Sequence, residues 1–151
     1  MNIPLRVKNL KKKYGTSNPF KLCKYLGILV IFADLGEIKG YSIKRMRKKL
    51  ICINENLDYF SQKFVCAHEL GHCLYHQLDE VNFFLKNTRI IRRSILEEEA
   101  NKFAVELLYD DIDEYIENPS LDIRLLEQLR ELKKKWKEKY GNNQRRNRKY
   151  Y

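Results

Sequence analysis

Along this chain the spacing of apolar side chains changes period twice. Residues 5–14 (LRVKNLKKKY) repeat at helical spacing with a basic face, and Gly15 ends the run. TSNPF then gives a turn, with Pro19 suited to the first position of a short helix over about 19–26 that stops at Gly27. Three strand-like runs follow: ILVIFAD at 28–34, GYSIKRM at 40–46 and KLICIN at 49–54. They are β-branched, aromatic or alternating, and their short connections predict an antiparallel meander.

From about residue 59 the period is helical again. In FVCAHELGHCLYH, residues 64–76, Ala67, Leu70 and Leu74 fall on one face of a helix. His68, His72, His76 and Glu69 fall on the other, and these are all the histidines the chain has. The stretch QLDEVNFFLKNTRIIRR (77–93) has no clean period and is expected to be a loop. Ser94-Ile95-Leu96-Glu97 has the S-x-x-E form of a capping box, predicting a second helix from there to about Leu108. Leu125, Leu129, Leu132 and Trp136 form one apolar stripe and predict a C-terminal helix over about 121–139.

The pattern gives an α+β fold class. A small antiparallel three-stranded sheet packs on the histidine helix and on a second, glutamate-bearing helix, with the C-terminal helix added. With 151 residues, 44% of them hydrophobic, one domain is expected over 1–140. The segment 141–151 (GNNQRRNRKYY) is expected to be a disordered basic tail. No run is long and apolar enough for a membrane span, and the first residues lack the form of a signal peptide. A cytoplasmic location is therefore expected, with no membrane partner. Cys23, Cys52, Cys66 and Cys73 make no C-x-x-C pair and read as reduced thiols; Cys66 and Cys73 read as small core residues. Nothing in the pattern sets an oligomeric state.

Net charge is +10, unevenly spread. Residues 1–50 carry 13 basic and 2 acidic side chains, residues 51–122 carry 6 and 15, and residues 123–151 carry 11 and 3. Basic ends flank an acidic middle that holds the histidines. Such ends suit nucleic acid or an acidic protein, although a lysine-rich composition alone accounts for them, and nucleic acid is the less favoured partner.

His68-Glu69-Leu70-Gly71-His72 is an H-E-x-x-H sequence on a predicted helix. Imidazoles at i and i+4 share a face and reach one zinc ion. The glutamate beside the first histidine reaches a water on that ion and takes its proton as general base, the machinery of peptide hydrolysis. Gly71 between the histidines allows close packing. Catalytic zinc usually takes a third protein ligand. His76 is one turn too far along and is assigned to support or polar packing. Of Glu97, Glu98 and Glu99, only Glu99 lies at the edge of a buried stripe taken to include Leu96, so Glu99 is the expected third ligand. Tyr75, Arg89, Arg92 and Arg93 are conceivable oxyanion donors, with no motif behind any of them.

FVCAHELGHCLYH followed by EEEANKFAVELL resembles the ImmA/IrrE-type zinc metallopeptidases. NPFKLCKYLGI, the KGY at 39–41 and LICINENL at 50–57 extend the resemblance to about residues 18–109. It implies a zincin-like fold, one Zn2+ held by His68, His72 and Glu99, and Glu69 as general base. It also implies a protein substrate, a helix-turn-helix repressor whose cleavage relieves repression in a prophage or mobile element. The chain departs from the family at LLYDD, where Asp110 stands in place of an expected proline. An intracellular zinc endopeptidase is the leading expectation, its peptide held along the strand at 49–54. The alternative is a non-proteolytic zinc-containing module that sequesters a repressor or binds nucleic acid through its basic ends.

Overall fold

The computed structural model describes residues 1–78, 90–116, 127, 129–135 and 137–138. The chain is α+β. Helices α1 (Ile3–Tyr14) and α2 (Pro19–Tyr25) precede strands β1 (Leu29–Ala33), β2 (Gly40–Arg45) and β3 (Lys48–Asn54). Helices α3 (Tyr59–Tyr75) and α4 (Ile90–Ile116) follow. Each early boundary has a local cause. Asn2 and Asn18 cap α1 and α2 with side-chain oxygens, each with a proline in the first turn, and Gly15 closes α1 in the left-handed conformation at φ 66°.

The sheet corrects the expected meander. Its order is β1-β3-β2, with β1 parallel and β2 antiparallel to β3. Ile51, Cys52 and Ile53 are successive residues at 0–1% exposure, so β3 is covered on both faces, and such a strand takes the centre. The segment between β1 and β2 crosses the end of β3 instead of turning back beside β1. Asn54 holds this crossing, donating its side-chain amide to the Gly36 and Ile38 carbonyls at 2.9 and 3.0 Å. Because β3 is central, the free edge nearest α3 belongs to β2, and the expectation of a peptide paired along 49–54 fails.

Behind the sheet, α2, α3 and α4 enclose the core around Leu22, Phe60, Leu70, Phe103, Leu107 and Leu108. All four cysteines are buried and free. The second helix is longer than the capping box suggested. It already includes Ile90, so Ser94 is interior, and with Asp110 where a proline would break it, it runs on to Ile116. Residues 127, 129–135, 137 and 138 are helical, and Leu129 is fully buried. Leu125, Trp136, the segment 79–89 and the tail lie outside the described residues. Among the described residues no helix is long and apolar enough to cross a membrane.

Candidate metal centre

Two glycines set how closely the site's elements approach. A Cβ on Gly71 would lie 3.1–3.3 Å from Phe103, so its absence lets α4 cross α3 between the two histidines of the motif. A Cβ on Gly40 would meet Val65 at 2.5 Å and the Cys52 carbonyl oxygen at 2.9 Å, so only glycine lets β2 lie against α3 there. The start of α3 is fixed by Asp58, whose carboxylate accepts from the Ser61 backbone and hydroxyl.

At this crossing His68 Nε2 and His72 Nε2 stand 3.1 Å apart. The Glu97 carboxylate lies 3.2 Å from His68 Nε2 and 3.3 Å from His72 Nε2. All three ligand atoms lie within 4.8 Å of one another. Bonds of about 2.0–2.2 Å to nitrogen and carboxylate oxygen place tetrahedral neighbours about 3.3 Å apart, so the trio fits a zinc-sized cation. Borderline imidazole and hard carboxylate donors suit a divalent metal of that kind.

The outer nitrogens of the histidines are also held. His68 Nδ1 lies 2.8 Å from Asn101 Oδ1, so it carries the proton and donates, leaving Nε2 as the lone pair that faces Glu97. His72 Nδ1 lies 2.8 Å from His76 Nδ1, and His76 Nε2 lies 2.9 Å from Glu99 Oε2. Glu99 accepts from His76 Nε2–H, His76 Nδ1 then accepts from His72 Nδ1–H, and His72 Nε2 is left free to face inward.

Glu99, the carboxylate expected from the sequence as third ligand, therefore sits on His76, and Glu97 occupies the place beside His68 and His72. The cause is the rotation of α4. Leu96 is only half-buried, and the fully buried run consists of Ala100, Phe103, Ala104, Val105, Leu107 and Leu108. That run turns the Glu97–Asn101 edge, i and i+4 on one face, toward α3.

Glu69 is 8% exposed and accepts a 2.7 Å hydrogen bond at Oε2 from the Ser42 hydroxyl. Ser42 stands on β2 and no sequence motif marks it; the glycine two residues earlier in a strand is the one signal of a close approach. Burial works against charging His68, but Glu97, Glu69 and Asn101 together offset it, and its pKa lies above the ordinary 6.5. Without a metal, the imidazolium forms of His68 and His72 donate to Glu97 through Nε2–H and hold it well below the carboxylate range. Burial pulls His76 down. Tyr75 turns away from the centre, against Phe103 and under the Arg6 guanidinium at 5.0 Å. Arg89 and the side chains of Arg92 and Arg93 lie outside those described.

Residues 23–145 match the family model of the peptidases described as the IrrE N-terminal-like domain. The chain is 44% identical over 110 residues to "Uncharacterized immunity region protein 2" of Bacillus phage phi105, covering 72% of this chain and 69% of that protein. It is 37% identical over 109 residues to "Metallopeptidase ImmA" of Bacillus subtilis (strain 168), covering 70% of this chain and 62% of that protein. The chain thus spans somewhat under two thirds of the metallopeptidase it matches. No solved structure matches it. With the family model covering most of its length, and both relatives matching through the segment that builds this centre, the chain belongs to the IrrE N-terminal-like domain family.

Proposed function

We propose that the protein is a zinc-dependent endopeptidase that cleaves a DNA-binding repressor and acts inside the cell. The observation that carries this reading is the convergence of His68 Nε2, His72 Nε2 and the Glu97 carboxylate, with a buried Glu69 next to His68 on the same helix. His68, His72 and Glu97 would hold one zinc ion. When bound, the metal supplies Lewis acidity, bringing a water toward neutral pKa and polarising the peptide carbonyl.

The chain's own residues do the rest. Ser42 occupies one Glu69 oxygen, so the other is the one that accepts the proton of the attacking water and passes it to the departing amine. Asn101 fixes the ring of His68, and the Glu99–His76 pair fixes that of His72, so both present Nε2. An extended peptide would add to the free edge of β2, beside Ser42. The immunity-region and ImmA names of the relatives support a repressor as the substrate.

The test is Glu69→Gln, incubated with the regulator encoded beside the gene. The substitution is expected to leave zinc content unchanged and to lower cleavage about 10²–10⁴-fold. Undiminished cleavage by this variant would remove Glu69 as the base. Specific duplex DNA binding without proteolysis by the wild type would favour a binding module instead.

A further inference from the structure

The hairpin joining β2 to β3 breaks two rules that hairpins ordinarily obey. Its two turn residues, Met46 and Arg47, have φ of 50° and 66°, where glycine and asparagine are the usual occupants. Its register also sets Lys44 opposite Lys49 and Arg45 opposite Lys48. Like charges directly opposite one another weaken a strand pair. The run Lys44–Lys49 is Lys-Arg-Met-Arg-Lys-Lys, and its first five residues are exposed, Met46 at 84%. Among the described residues no carboxylate forms an ion pair with Lys44, Arg45, Arg47 or Lys48. Lys49 differs: it is half-buried and donates to the Cys73 carbonyl near the end of α3. Folding alone gives no reason to gather four cations on a strained turn. Local violations of this kind are where function is sought.

Position then selects the partner. The tip is the continuation of β2, the edge strand whose Ser42 touches Glu69. Arg45 is three residues beyond Ser42, about 10 Å along an extended strand. A polypeptide lying on this edge with its reacting bond near Glu69 passes the tip three or more residues from that bond. We infer that the β2–β3 hairpin tip is an acidic-segment receptor, and that the substrate carries a cluster of aspartates or glutamates flanking the cleaved bond. This rests on the peptidase reading above and adds to it the substrate's charge. A nucleic acid suits the position less well, because whatever lies on the tip and continues along β2 runs toward the Glu69, Glu97 and Glu99 carboxylates at the centre.

Fluorescence anisotropy tests this with three probes: a labelled peptide with a run of glutamates, the same peptide with glutamines, and a short labelled duplex DNA. Full-length Glu69→Gln protein is used throughout, so binding is read without cleavage. The glutamate peptide is expected to bind roughly tenfold or more tightly than the glutamine peptide. That preference should vanish in Arg45→Gln/Arg47→Gln/Lys48→Gln. It should survive in Lys8→Gln/Lys12→Gln/Lys21→Gln, which removes the same charge from α1 and α2. The tip variant should melt no lower than its parent, since like-charge repulsion has been relieved.

Equal loss in both variants would reduce the effect to net charge and overturn the inference. So would tighter binding of the duplex, absence of any preference, or a destabilised tip variant. None of these outcomes bears on zinc content or on the cleavage test of Glu69, so failure here is separable from failure of the peptidase reading.

Discussion

His68 is held from two sides by one edge of α4: Asn101 accepts a hydrogen bond from its Nδ1–H and Glu97 faces its Nε2. In protein stripped of metal by a chelator, burial opposes charging of His68, and Glu97 together with Glu69 and Asn101 keeps its pKa above 6.5. Glu97→Gln should lower it, read by NMR titration of the imidazole; an unchanged value would mean that other groups charge the ring. The stability consequence follows in sign. A raised histidine pKa contributes below its unfolded value of 6.5 and is lost as pH rises through the folded value. A depressed Glu97 contributes above its unfolded value of 4.5 and is lost as pH falls through the folded one. The gap in melting temperature between metal-free wild type and Glu97→Gln should be widest between pH 4.5 and 6.5, and should narrow in alkali. That His68, His72 and Glu69 share one end of a helix was legible from a five-residue motif because a single helix fixes their spacing. Which of Glu97 and Glu99 lies beside His68 and His72 was not, because it depends on how one helix is rotated against another.

At the scale of elements, the α3–α4 crossing is set by Gly71 against Phe103. Gly71→Ala inserts a methyl 3.1–3.3 Å from that ring, which must give by a few tenths of an ångström. We expect a stability loss of about 1–3 kcal/mol by denaturant titration. Zinc affinity should fall with it, because α4 carries Glu97 and Asn101. Retained affinity at reduced stability would show that the centre tolerates the shift. The existence of α1, α2, α3 and the three strands was readable from period, and Gly71 as a close-packing point from its place between the histidines. Strand order was not. The parallel β1–β3 pair depends on the Asn54 amide holding the 34–39 segment over the strand end, and an asparagine at the end of an alternating run looks like any turn residue. With β3 central, the edge available to a peptide moved to β2, which brought Ser42 to Glu69. The long α4 was half-legible: the sequence has Asp110 in place of a helix-ending proline, and an uninterrupted helix is the physical consequence.

Over the whole molecule, charge is segregated by sequence segment, and the fold gives part of it a place. The acidic middle supplies Glu97 and Glu99 to the centre, while the basic first third supplies the hairpin tip at the end of the neighbouring strand. The α+β class and the family were readable because both rest on motifs that local chain geometry enforces. The functional account turns on one carboxylate. Zinc affinity, measured by competition with a chromophoric chelator on wild type, Glu97→Ala and Glu99→Ala, tests it most directly. The account predicts about one zinc per wild-type chain, loss of stoichiometric zinc in Glu97→Ala, and retention in Glu99→Ala with affinity lowered about 10–100-fold. Zinc lost from Glu99→Ala but kept by Glu97→Ala would contradict it and return the third ligand to Glu99.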